Sequence, residues 1–582
     1  MSKNSRTFWI VLCMILLAGL TARLVVADHG LPGLQIGDEN SDLSTALRLT
    51  RGELPEPHVR YHRSLIAYTD GASVAGLLGL RLLTGDVHNL HEFQDLYFKD
   101  HDQFTLATRL MMALLTTLAI GLVGLAGRYI SDRVGLLAAA ALAVNGFFLT
   151  NSMIALPDGL VTFSMALFVW LLMRLWKYRR NRDYFLAGIG LALIMLSKLS
   201  AAVAGTGLIV AHVSIAWDAA GHDLRRLPKH LILHPGVLWT VAGIAAGNLI
   251  FNPVAFVYPN DLRFEIKRLD TYAYTPYESS LAAQLKIIRA QLEEMARLAW
   301  RWMLPASILG VLAAARWKRH APYWIVLVTF ASLLISIGRV ISIFYKVYYW
   351  TPWLIPMALL SGIGLDVLLA GKRRALQVAG GVIVAGLLAL EGGYTVQLVR
   401  VLDRADTRVQ AARYIEHTLH PGTAIMSGAP IAYSVPLMRD ESSIRRAVDL
   451  GNPQLEAWKW WVEEPPEHRP GPAYDIYGPE LQKVIDTHDD MDRLIADNGI
   501  TYVVEADFCY GPKDPSSPSA IDFPAISDAQ RARWQLVTVF SPFEGDRCVG
   551  KIDDRTGFGP IQDIPEQRRT GPIVRIYYVP GS

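Results

Sequence analysis

A handful of ionisable residues stand where an apolar chain should carry few. Asp38 and Glu39 are adjacent in Gln35-Ile36-Gly37-Asp38-Glu39-Asn40, just past the apolar run from Phe8 to Val26. Asp158 follows Pro157 at the start of another apolar run, and Lys198 closes a third. Arg339 and Lys346 precede Tyr348-Tyr349-Trp350-Thr351-Pro352-Trp353 and a fourth. A carboxylate can take the proton of a hydroxyl as it turns nucleophile, and a cation at headgroup level can hold a phosphate. Each residue also has a plainer explanation. Acids are common in turns, a carboxylate beside an N-terminal Pro suits a helix start, lysines snorkel at helix ends, and aromatic residues mark the membrane interface.

The elements that would position them are membrane spans. The 582 residues are 52% hydrophobic and only 19% charged, with a mean hydropathy of +0.25. That is too apolar for an ordinary soluble enzyme and fits a multispanning membrane protein. At 1.5 Å rise per residue, about 20 apolar residues cross the hydrocarbon core. Spans are expected near 8–26, 105–127, 134–150, 159–176, 184–199, 200–217, 236–257, 298–315, 321–338, 349–370 and 375–395. The run from Tyr184 to Trp217 would be about 50 Å long as one helix, so it must fold back.

Basic clusters test this threading. Lys3 and Arg6, Arg128 and Arg133, Lys177 to Arg182, Arg225 to Lys229, Arg316 to Arg319, and Lys372 to Arg374 fall in alternate connections. The positive-inside rule makes all of them cytoplasmic, which about eleven spans satisfy. The loop 27–104, the turns at 151–158 and Lys198, the segments 258–297 and 339–348, and the tail then share the opposite face. Arg23 argues for an uncleaved anchor in the first run rather than a signal peptide.

The loop 27–104 is too long for a connector. It carries Tyr61-His62-Arg63-Ser64, and it spaces His88, His91 and Asp95 along one helical face in metal-ligand fashion. An amphipathic helix lying in the interface accounts for the same spacing. After residue 398 charge and Pro rise. The pattern predicts helices over 408–419 and 491–498 and strands over 423–426, 501–505, 534–540 and 573–579, a small α/β domain filling 399–582. Cys509 and Cys548 both lie there and could pair in an oxidising compartment. No collagen, coiled-coil or nucleic-acid signature is present.

Taken in order, Gly37-Asp38-Glu39, the block Ala155-Leu-Pro-Asp-Gly-Leu-Val-Thr-Phe163, Gly190-Leu-Ala-Leu193 with Ser197-Lys198, and Lys346-x-x-Tyr349-x-x-Pro352 resemble the GT-C membrane glycosyltransferases. Within these the chain is most similar to the dolichyl-phosphate-mannose protein mannosyltransferase and aminoarabinose transferase relatives, over roughly residues 7–370. The resemblance implies a mainly α, polytopic enzyme with a C-terminal extracytoplasmic α/β domain. It implies inverting transfer of a sugar from a polyprenyl-phosphate donor to a protein, lipid or glycan acceptor outside the cytoplasm. It casts Asp38 as general base with Glu39 beside it, Asp158 as the second acid, and Lys198, Arg339, Lys346 and Tyr349 as donor-phosphate ligands. Relatives often carry a His-Pro-Pro or Pro-Pro element where this chain has Tyr61-His62-Arg63-Ser64, which leaves His62 and Arg63 as substrate-binding candidates of open role. No cofactor is implied for certain, and a divalent metal stays open, with His88, His91 and Asp95 as its candidates. Membrane lipids are further partners; nucleic acid is not. The expected location is a plasma (inner) membrane, or the ER membrane in a eukaryote, with the C-terminal domain outside the cytoplasm. A lipid or polysaccharide flippase, or a non-catalytic member of the same architecture, is the alternative.

Overall fold

The computed structural model describes residues 3–32, 37–50, 52–53, 64–152, 154–258, 300–316, 321–341, 347–370, 373–427, 435–450, 469, 471–478, 488–507, 509, 526–549 and 566–580, with a few scattered positions between 260 and 293. The chain divides into two compact units. One comprises residues 1–24, 51–71 and 109–396; the other comprises 25–50, 72–108 and 397–582. The last segment of the second begins at residue 397, and this unit also takes in much of the first long loop.

The first unit is helical. By length and composition, seven helices among the described residues are apolar enough to cross a membrane, or up to eight if one bent pair counts as a span. That measure does not confirm the expected number of about eleven. Asn181–Ser197 is a 17-residue helix, and Trp302–Ala314 and Ala321–Leu334 are shorter apolar stretches. The straight span expected over 134–150 is instead two helices, Asp132–Ala143 and Gly146–Ser152, bent by 65°. Asn145 makes the break. Its Oδ1 accepts the Phe148 amide at 2.7 Å, so it starts a second helix where the first has ended. Thr395 Oγ1 covers the carbonyl of Val144 at 2.5 Å, satisfying an acceptor the bend exposes.

Close helix contacts rest on glycine. A Cβ at Gly190 would stand 3.3 Å from the Phe168 Cα, so helix Asn181–Ser197 approaches helix Pro157–Tyr178 closely there. Nearer the helix ends, Ser164 and Ser197 hydroxyls meet at 3.2 Å. A polar contact inside an apolar bundle fixes rotation as well as distance.

In the second unit, the expected outer loop is largely helical, at Gly37–Thr50, Ser64–Thr84 (whose first turns belong to the first unit) and Leu90–Lys99. Leu43, Ala46, Val74, Val87, Phe93, Tyr97 and Phe104 bury one another there. Helix Leu90–Lys99 starts at Asn89, whose side chain accepts the Glu92 amide. The tail folds as a five-stranded mixed sheet, β1 (Ala424–Ser427), β2 (Asp475–Tyr477), β3 (Tyr502–Asp507), β4 (Gln535–Phe540) and β5 (Ile573–Tyr578). Their order is β2-β1-β3-β5-β4, with β1 parallel to β2 and β3, and β5 antiparallel to β3 and β4. Alternate residues face opposite sides, so Met426, Val503 and Tyr577 join one apolar cluster while Ile425, Val504 and Ile576 join the other. Helices Thr407–Thr418 and His488–Asp497 follow the expected pattern; β2 and helix Glu441–Asp449 were not expected.

Cys509 and Cys548 are joined in a disulfide. A buried polar chain also runs through this unit. Arg408 grips the Asp406 carboxylate through Nε at 2.8 Å and Nη2 at 3.0 Å. Thr570 Oγ1 donates to Asp406 Oδ2 at 3.0 Å and meets His29 Nε2 at 3.3 Å, while His29 Nδ1 lies 2.6 Å from the Leu402 carbonyl. Burial alone would raise the Asp406 acid; Arg408, and more weakly His29, hold it instead at about 2.

Candidate active site

Helix Pro157–Tyr178 starts where the sequence says it should. Leu156 is extended, Pro157 takes the first helical position with no amide to leave unpaired, and Asp158 follows in the first turn. Helix Asn181–Ser197 ends at Lys198, which is itself extended and leads into the 3₁₀ segment Leu199–Gly205. These antiparallel neighbours therefore present one helix start beside one helix end. Lys198 Nζ donates to Asp158 Oδ1 at 2.6 Å, with the Asp158 side chain 4% exposed and that of Lys198 14%.

A third segment closes on the pair. The 3₁₀ segment Val347–Trp353 carries Tyr349, and Lys198 Nζ stands 3.6 Å from the centre of its ring. The ring face is electron-rich and attracts the ammonium, more so away from water. Trp350 and Trp353 are buried and pack edge to face at 4.2 Å, which anchors the segment that presents Tyr349. The result is an ammonium held between a carboxylate and an aromatic face, with three N–H donors to distribute. Such a group can present positive charge to a phosphate in a fixed place, and Asp158 can tune how much of that charge is felt.

Three of the expected site residues, Asp158, Lys198 and Tyr349, thus come together within the first unit. Arg339 lies in helix Ala321–Ile341, with its side chain outside the described residues, as are Lys346, His62 and Arg63 entirely. Asp38 lies in the first turn of helix Gly37–Thr50 in the second unit, its side chain not among those described, while Glu39 is fully buried.

The His88, His91 and Asp95 set does not form among the described residues. Helix Leu90–Lys99 leaves His88 outside its start, 3.6 Å from Glu92, while His91 lies 3.9 Å from Asp95, and both histidines are three-quarters exposed. Two separate i,i+4 pairs on a wet surface are ordinary helix chemistry. The one cluster of metal-ligand types among the described residues is Asp507, Cys509 and Cys548, and its two sulfurs are already bonded to each other.

One buried residue near this site was read from sequence only as an argument about the anchor. Arg23 is completely buried, with Nε donating to Thr116 Oγ1 at 3.1 Å and Nη1 to the Gly19 carbonyl at 2.9 Å. A cation in the last turn of an apolar span is itself the signal that could have singled it out.

Residues 97–245, about a quarter of the chain, match the family model described as dolichyl-phosphate-mannose-protein mannosyltransferase, and they include Asp158 and Lys198. No curated protein matches. Among solved structures, the oligosaccharyltransferase AglB from Archaeoglobus fulgidus, in complex with an inhibitory peptide and a dolichol-phosphate, is 13% identical, with 87% of this chain and 70% of that one covered and a TM-score of 0.46. ArnT from Cupriavidus metallidurans, bound to undecaprenyl phosphate, is also 13% identical, covering 87% of this chain and 94% of that one at a TM-score of 0.48. Over residues 97–245 the chain is therefore similar to the dolichyl-phosphate-mannose-protein mannosyltransferases.

Proposed function

We propose that this protein is a glycosyltransferase that moves a hexosyl or pentosyl group from a polyprenyl-phosphate carrier to an acceptor on the extracytoplasmic face, with inversion. The observation that carries the reading is the Asp158–Lys198–Tyr349 cluster, two of whose members lie inside the stretch that matches the mannosyltransferase family. The acceptor is a protein hydroxyl, a lipid headgroup or a glycan. The location is a plasma membrane, or the ER membrane in a eukaryote, with the tail domain outside the cytoplasm.

In the reaction, the acceptor oxygen bonds to the anomeric carbon as the bond from that carbon to the phosphate oxygen breaks. The acceptor proton passes to Asp38, acting as general base, with Glu39 beside it. The electron pair leaves with the polyprenyl phosphate, whose charge Lys198, Arg339 and Lys346 meet, with Tyr349 fixing Lys198. Asp158 holds Lys198 in place and faces the positive charge that develops on the sugar ring.

Purified protein incubated with a panel of labelled polyprenyl-phosphate sugars tests the reading. Consumption of one donor, with label appearing on an acceptor, is the expected result; a panel left untouched by active membranes as well as by purified protein overturns it.

A further inference from the structure

Arg23 is the most deeply buried cation near the site, and its company is neutral. Its described partners are a hydroxyl, that of Thr116, a main-chain carbonyl, that of Gly19, and the ring of Phe148, whose centre is 4.8 Å from the guanidinium carbon. Among the described residues no carboxylate pairs with it, and its Nη2 is buried without a hydrogen-bond partner. A guanidinium stays charged at any accessible pH, and a buried charge without a counter-charge is costly. Capping its own helix end explains Nη1, and Thr116 explains Nε. Neither explains why the whole fork is kept where a neutral side chain could make both bonds.

The place of Arg23 supplies a reason. Thr116 Oγ1, which receives the Nε proton, lies 3.4 Å from the Ser152 carbonyl, just ahead of the turn that delivers Asp158. The methyl carbon of Thr116 lies 3.9 Å from where a Cβ would stand on Gly159, and Met112 Sδ lies 3.3 Å from it. The ring stacked on the guanidinium, Phe148, belongs to helix Gly146–Ser152, every residue of which is buried. Arg23 is thus packed against the structure that carries Asp158, with one donor edge unspent.

We propose that Arg23 is an anion-binding residue that receives a phosphate oxygen through Nη2, adding to the donor-phosphate ligands named above. The ligand class is a phosphate ester or free phosphate. The inference rests on the reading of the protein as a polyprenyl-phosphate-dependent transferase. On this account Arg23 is kept for the ligand and at some cost to the empty protein.

The test measures binding to the full-length protein in detergent, with undecaprenyl phosphate, inorganic phosphate and uncharged undecaprenol as probes. Wild-type protein is expected to prefer undecaprenyl phosphate to undecaprenol. Arg23→Gln is expected to lose at least tenfold of that preference while melting, without ligand, no lower than wild type; Arg23→Lys keeps part of it. Inorganic phosphate competing in the wild type but not in Arg23→Gln assigns the effect to the phosphate group alone, and equal competition in both overturns the proposal. Full preference in Arg23→Gln, with the preference lost in Lys198→Ala, overturns the role of Arg23 and leaves the functional reading standing. No preference in the wild type overturns both. Should Arg23→Gln fail to fold, a structure of wild-type protein with undecaprenyl phosphate decides: a phosphate oxygen within hydrogen-bond distance of Nη2 is expected, and a phosphate bound elsewhere ends the inference.

Discussion

Lys198 donates to Asp158 across 2.6 Å, joining the end of one membrane helix to the start of another through two side chains 40 residues apart. Both are largely removed from solvent, so the pair is far more than a surface contact. Removing one partner takes from the other a close counter-charge in a largely buried place, whereas removing both takes away the charges together. Lys198→Ala and Asp158→Asn are each expected to destabilise by about 3–5 kcal/mol, and the double variant by less than their sum. Thermal unfolding of the purified single and double variants checks this; strict additivity would show that the pair does not act as a unit.

For the proposed chemistry the informative substitution is Asp38→Asn. Loss of a general base is expected to lower kcat by about 10²- to 10⁴-fold with little change in KM for the donor, because the amide keeps the shape and removes only proton acceptance. Steady-state transfer by purified protein measures it. Activity close to wild type would remove Asp38 from the mechanism.

Acid should weaken the tail unit within a definite window. The Asp406 carboxyl is held at about 2 against an ordinary 3.8, so its pairing with Arg408 stabilises the folded chain above pH 3.8. That contribution, of about 2 kcal/mol, drains away as the pH falls from about 4 to about 2. Pepsin digestion across that range follows it: cleavage within the tail is expected to rise steeply in the wild type, and Asp406→Asn should show a flatter dependence from a less stable start.

The bond between Cys509 and Cys548 closes a separation of 39 residues. Chain-entropy reasoning gives a loop of that length about 3–4 kcal/mol. Cys509→Ser with Cys548→Ser, or a reductant, is expected to lower the midpoint of tail unfolding in denaturant. Proteolysis with and without reductant reads this out, and an unchanged midpoint would mean the bond constrains little.

At Gly190 a side chain has nowhere to go without moving helix Pro157–Tyr178. Gly190→Val is expected to push the Phe168 region away and loosen the Asp158–Lys198 contact beyond it, lowering both melting temperature and sugar transfer. A variant that melts and transfers like wild type would show that the close approach is dispensable.

The sequence alone determined much of the local structure, because helix and strand signals are local. Apolar runs with Pro157 at a helix start and Lys198 at a helix end placed two site residues at their element boundaries. Two-residue alternation located β1, β3, β4 and β5 to within a residue or two. Tertiary structure decided the rest. At the bend, the exposed Val144 carbonyl is met by a hydroxyl from Thr395, 251 residues away, which no local window contains. Helix Ser64–Thr84 reads as loop until the cluster around Val74 and Phe104 gives its apolar side a partner. Tyr349 meets Lys198 only because a 3₁₀ segment is pinned by two buried tryptophans. Arg23, one basic residue in an apolar run, acquires its meaning from Thr116 and Phe148, since whether a buried charge is compensated is a property of the neighbours that the fold assembles around it.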